Sequence, residues 1–123
     1  MQESTKRTLG PLQWGIVILT STTALIHLAL GINTPFPTGW PFLLNAAGYT
    51  VLLLLYVLNV PVLRRRRAVV RWLLIAYAAV TVIAWWLMEG ARTPLGYFDK
   101  IVEIVLIILL WLDGQLGLEG QRR

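Results

Sequence analysis

The sequence predicts an all-α integral membrane protein: one domain of four antiparallel helices in up-down-up-down order, with both termini in the cytoplasm. Three observations predict it. The chain is 57% hydrophobic and only 14% charged, whereas a soluble domain carries about 25% charged residues. Its apolar residues gather into four segments close to the ~20 residues that cross a ~30 Å hydrocarbon core. Nine of its eleven Lys and Arg lie at one set of segment ends, as the positive-inside rule requires of a multi-pass chain.

The segments follow in order. The first runs from about Leu12 to Ile32, with His27 as its one ionisable group. The second runs from about Trp40 to Val60 without a charge. The third covers about Val69 to Met88, with Arg71 near its start. The fourth, about Leu95 to Leu112, is the least apolar, since Asp99, Lys100 and Glu103 lie in its first turns. A charge costs less near the end of a span than at its centre, so this helix is expected to cross with its neighbours' help. The first segment is longer than the 7–15 apolar residues of a signal peptide, and it is expected to stay in the membrane.

The connections are short, which makes sequential helices antiparallel neighbours. Asn33 to Gly39 joins the first pair and holds two prolines and a glycine. Pro61 ends the second helix and Arg64, Arg65, Arg66 and Arg67 follow it. About Glu89 to Pro94 joins the last pair. Lys6, Arg7, Arg64 to Arg67, Arg71, Arg122 and Arg123 share one side, leaving Arg92 and Lys100 on the other. The basic cluster at Arg64 to Arg67 is expected to set this topology and to meet anionic lipid. The six tryptophans fall near the predicted span ends, as in an aromatic belt.

At 123 residues the chain suits one domain. It has no cysteine, which excludes disulfides, thiolate metal sites and cysteine nucleophiles. The net charge of +5 follows segment ends rather than a groove, so nucleic acid is not an expected partner. The expected partners are membrane lipid and either a second copy of the chain or a larger membrane complex. No nucleotide loop, zinc motif or Ser-His-Asp arrangement is present, and no enzyme is expected.

Intramembrane polar residues must find partners or face water. With the topology above, each helix brings one to the outer half. His27 follows Thr23 and Thr20 on one face of the first helix, and Asn45 and Tyr49 share a face of the second. Thr81 lies in the outer half of the third, and Asp99 and Glu103 are four apart on the fourth. The functional reading is a polar cavity open to the outer face and lined by His27, Asn45, Tyr49, Asp99 and Glu103. The alternative reading is hydrogen-bonded packing that fixes helix register.

Single residues leave the chemistry open. His27 suits a proton acceptor, a metal ligand or a haem ligand, although haem would need a second ligand such as His27 of another copy. Two carboxylates and one imidazole suit a divalent cation or a proton carrier. The plainer expectation pairs Lys100 with Glu103 across one turn and leaves Asp99 solvated or capping the helix. Metal and cofactor remain undetermined at this level.

Leu95-Gly96-Tyr97-Phe98-Asp99-Lys100-Ile101-Val102-Glu103 resembles the start of the last helix in a family of small, uncharacterised four-helix membrane proteins of haloarchaea and some bacteria. The His-Leu-x-Leu-Gly pattern at His27 to Gly31 and the Pro-Phe-Leu-Leu-x-Ala-x-Gly-Tyr pattern at Pro41 to Tyr49 are similar too. The resemblance implies the four-helix fold and directs attention to His27, Tyr97, Asp99, Lys100 and Glu103, without an assigned activity. Small multidrug exporters carry a glutamate mid-way in their first helix, which is absent here. The glycine and arginine signature of small fluoride channels is absent as well.

The leading functional expectation is a non-enzymatic small-ligand-binding or accessory subunit. A small transporter or proton or ion conductor using Glu103 and His27 is the second.

Overall fold

The computed structural model describes residues 9–58, 61–87 and 93–122. Five helices form among them: α1 Pro11–Ile32, α2 Trp40–Val57, α3 Pro61–Arg65, α4 Arg67–Leu87 and α5 Pro94–Arg122. There is no strand among the described residues. Helices α1, α2 and α4 are long and apolar enough to cross a membrane.

Proline starts these helices where its missing N–H costs nothing. Pro11, Pro61 and Pro94 open α1, α3 and α5, and Pro41 is the second residue of α2. Gln13 closes the first turn of α1 by accepting the Gly10 N–H at 2.9 Å. The Thr93 hydroxyl accepts the Gly96 N–H at 3.0 Å and so caps α5.

Three boundaries differ from expectation. The second helix stops at Val57 rather than about Val60, and Asn59 and Val60 lie outside the described residues. The arginine cluster is helical rather than a loop: Arg64 and Arg65 belong to α3, and Arg67 begins α4. Proline at the first position and the good helix propensity of arginine account for this. The last helix runs ten residues past the expected Leu112, to Arg122, since no proline interrupts it. Lys6, Arg7, Arg92 and Arg123 of the basic pattern and Met88, the expected end of the third span, lie outside the described residues, as do the side chains of Arg64 and Arg122.

Helix α1 packs on α2 and α5, while α4 packs on α5 and α2. Cross-helix pairs give the directions. Gln13 meets Asp113 and Thr23 meets Asp99, so α1 and α5 run oppositely. Trp72 meets Trp111 and Trp85 meets Tyr97, so α4 and α5 do too. Tyr49 meets Glu103 and Tyr56 meets Asp113, so α2 and α5 run the same way.

Helices α1 and α4 each bury one stripe at spacings of three and four. On α1 it is Ile16, Thr20, Thr23, His27 and Gly31. On α4 it is Val70, Leu74, Ala78 and Thr81. Ile16, Leu74, Leu106 and Leu110 are wholly buried at the centre. The outside is the reverse of a soluble surface: Ile18, Leu25, Val80, Ile83 and Ile101 are all exposed, while Asp99, Lys100 and Glu103 are buried. Buried threonines return their hydroxyls to the preceding turn, Thr20 to the Ile16 carbonyl at 2.7 Å and Thr81 to the Tyr77 carbonyl at 2.9 Å.

Two glycines permit close approaches. A Cβ on Gly48 would fall 2.0 Å from the Tyr77 hydroxyl. One on Gly39 would fall 2.3 Å from the Thr34 carbonyl oxygen and 2.7 Å from that of Gly31. Those are backbone atoms, and they cannot step aside as a side chain can. Gly39→Ala is expected to lose about 1–3 kcal/mol by overpacking. Gly15→Ala, whose nearest atom is a Leu109 methyl at 3.1 Å, is expected to lose less. Thermal melting of the two variants in detergent checks the order.

Candidate functional site

The ionisable residues of α1 and α5 meet near the α1–α2 loop. His27 lies five residues before the end of α1, and Asp99, Lys100 and Glu103 occupy the second and third turns of α5. Thr23 donates its hydroxyl to Asp99 Oδ1 at 2.7 Å. His27 Nδ1 is 2.8 Å from the Thr23 carbonyl oxygen, which can only accept, so Nδ1 carries a proton. That turns His27 Nε2 toward Asp99 Oδ2, 3.6 Å away. Lys100 Nζ sits 3.1 Å from Asp99 Oδ2 and donates to Glu103 Oε1. Tyr49 donates to the other Glu103 oxygen at 2.5 Å. The chain of contacts thus runs His27, Asp99, Lys100, Glu103, Tyr49, across three helices.

The pairing of Lys100 with Glu103 follows the helix spacing. Asp99 departs from expectation: it is 1% exposed, neither solvated nor a cap, because Thr23 and Lys100 bind it from two sides. Asn45 stands beside this group rather than in it. Its Nδ2 donates to Thr81 Oγ1 at 3.3 Å, while its Oδ1 is buried with no hydrogen-bond partner.

A cavity of about 430 Å³ opens next to the cluster. His27, Asn45, Thr81 and Lys100 form its polar floor, and Trp40, Phe42, Tyr77 and Trp85 supply aromatic wall. Lys100 Nζ lies 5.9 Å from the Trp85 ring centre. The expected lining is met only in part: His27 and Asn45 face the cavity, while Tyr49, Asp99 and Glu103 are sealed behind Lys100 and His27.

His27, Asp99 and Glu103 each bring one potential metal-ligand atom within 4.8 Å of the others. The Lys100 ammonium already lies between the two carboxylates. A divalent ion would have to displace it.

A second polar layer escaped the sequence argument. Asp113 accepts from the Gln13 amide at 2.6 Å and from the Tyr56 hydroxyl at 2.5 Å. Its signal was present: Glu103, Leu106, Leu110 and Asp113 continue one stripe at spacings of three, four and three. Ile16, Leu74, Leu106 and Leu110 fill the space between the two layers with buried apolar side chains. Tyr56→Phe is expected to cost about 1–3 kcal/mol, the penalty of an acceptor left short of a donor. A melting curve against Tyr97→Phe, an exposed tyrosine, checks this. Arg65 and Arg66 are exposed near the Asp113 end.

No protein-family model, curated protein or solved structure matches this chain.

Proposed function

We propose that the protein is a multi-pass membrane protein whose four long helices form an up-down-up-down bundle with both termini cytoplasmic. In this reading it binds a small ligand in the outer-half cavity and acts without catalysis, as a binding or accessory subunit of a homodimer or larger membrane complex. The resemblance to the small four-helix membrane family agrees with this architecture.

The observation that carries the reading is the floor of the cavity. His27, Asn45, Thr81 and Lys100 converge on an open space of about 430 Å³. The aromatic wall and the few convergent polar groups are the usual makeup of a ligand pocket.

The second reading, a proton or ion conductor using Glu103 and His27, draws on the buried contact chain at the same site. The buried apolar layer of Ile16, Leu74, Leu106 and Leu110, which lies between that site and Asp113, favours binding over conduction.

Two experiments test the reading. The chain has no native cysteine, so single reporters are unambiguous. Thr38→Cys at the cavity mouth is expected to react with a membrane-impermeant maleimide from outside intact cells, and Gln115→Cys only after permeabilisation. The reverse pattern overturns the topology. For binding, lipid extract from the source membrane, added back to delipidated protein, is expected to raise the melting temperature of the wild type, as any ligand of the folded state does. Asn45→Leu should lose that rise. Equal responses would remove the cavity from the account.

A further inference from the structure

The Asp113 end of the bundle holds a second, much smaller pocket. Between α4 and α5 a space of about 80 Å³ is lined by Arg71, Trp72, Ile75, Trp111, Gly114 and Gln115. A pocket for an organic ligand has about 300–1,000 Å³, so this one suits a single small group. The Arg71 side chain lies against the backbone of α5. A Cβ on Gly114 would fall 2.6 Å from Arg71 Nε and 2.9 Å from its Cζ and Nη2, so glycine lets the guanidinium take this place unshifted. Trp72 and Trp111 border the same space, meet edge to face at 6.1 Å and are each about half exposed. Among the described residues no carboxylate forms an ion pair with Arg71. Asp113, one residue before Gly114, instead engages Gln13 and Tyr56 with its two oxygens.

We propose that this pocket binds the phosphate of an acidic phospholipid, held by the Arg71 guanidinium, with Trp72 and Trp111 against the glycerol and the first chain carbons. Four observations carry it. An arginine stays charged, and its planar fork matches the oxygens of a phosphate; this one has no acidic partner to neutralise it. The space beside it is lined by further N–H donors, the Gln115 amide and two indoles, and by no carboxylate. Arg71 lies four residues into α4, about 6 Å along its axis at 1.5 Å per residue, a depth for headgroups rather than for the bilayer centre, and half-exposed tryptophans suit that level. Arg65 and Arg66 are exposed nearby in the chain and add to the attraction for an anionic surface. The lipid source rests on the membrane reading and is independent of the outer cavity.

The test uses delipidated full-length protein in mild detergent, with bound lipid counted by native mass spectrometry over a concentration series. The probes are dioleoyl phosphatidylglycerol, dioleoyl phosphatidylcholine with the same chains and a zwitterionic head, and inorganic phosphate. The first phosphatidylglycerol is expected to bind wild type at about tenfold lower concentration than phosphatidylcholine, the scale of one charge-assisted hydrogen bond. Arg71→Gln should erase that preference. Gly114→Ala keeps the charge and moves only the far end of a flexible side chain, so it should melt with the wild type and still lose most of the preference. The double variant Arg65→Gln, Arg66→Gln should keep most of it. Equal binding of the two lipids to wild type overturns the proposal without needing any variant. An unchanged preference in Gly114→Ala overturns the placement of the phosphate on Arg71, even if Arg71→Gln fails to fold. A preference lost only in the double variant assigns the lipid to the arginine cluster instead, and overturns the pocket. Inorganic phosphate that displaces phosphatidylglycerol at equal concentration overturns the lipid as source and leaves a site for soluble phosphate. Asn45→Leu should bind phosphatidylglycerol as wild type does, and in the Arg71→Gln background the membrane-extract titration reads the outer cavity alone.

Discussion

Lys100→Met is expected to destabilise the protein by about 3–5 kcal/mol, the cost of breaking a buried ion pair from one side. The ammonium lies between Asp99 and Glu103, which are 1% and 0% exposed. Without it two carboxylates confront each other with no countercharge and little water. The double variant Lys100→Met, Glu103→Gln should regain much of the loss. Asp99 keeps the Thr23 hydroxyl and faces His27, and the amide oxygen that Glu103→Gln introduces would still accept from Tyr49. Lys100→Arg should recover less, because a planar fork does not fill the place of a compact ammonium. Melting of the three variants in one detergent decides. A Lys100→Met protein that melts with the wild type would mean that this ammonium does not neutralise the pair.

Leu106→Ala is expected to cost at least about 2 kcal/mol, the lower end of the range for emptying a packed leucine site. Leu106 is wholly buried and packs in the cluster with Ile16, Leu74 and Leu110. In a bilayer the transfer of leucine from lipid to protein brings little, so the loss is mainly of close contacts. Ile101→Ala on the same helix should be nearly neutral, since Ile101 is 61% exposed and would lie against lipid. Similar losses from both would indicate that the surface of α5 has been assigned wrongly.

Much of the fold is legible because the run of apolar residues needed to cross a bilayer is a coarse rule. The lengths of the apolar runs located α1, α2 and α4 within a few residues, and the prolines explain most of the helix starts. The ends of α2 and α5 were not legible. Apolar content marks where a helix can meet lipid, and it does not mark where hydrogen bonding stops. Helix α5 therefore runs on through Asp113 and Gly114 to Arg122. At the arginine cluster charge suggests a solvated loop, yet charge does not oppose helix formation.

At the site, periodicity placed His27, Tyr49, Asp99 and Glu103 on facing stripes, since residues four apart share a face, and the four are neighbours in the fold. It could not show how they divide between cavity and interior. That depends on Lys100, whose long side chain folds back between the carboxylates rather than reaching water. The aromatic walls from Trp40, Phe42 and Trp85 were also out of reach, because tryptophans at span ends look alike whether they face lipid or a pocket. The same holds for Asp113: near the end of an apolar run a lone carboxylate reads as solvated, and only the fold brings Tyr56 and Gln13 around it.

The central claim is that the cavity beside Asn45 and Lys100 holds a ligand, and a native mass spectrum of gently purified protein tests it most directly. The expected result is a chain carrying one defined added mass, at full or partial occupancy, which Asn45→Leu loses while retaining its fold by circular dichroism. A bare chain, or the same scatter of lipid adducts on wild type and Asn45→Leu, would contradict it and leave the outer cluster as packing between helices.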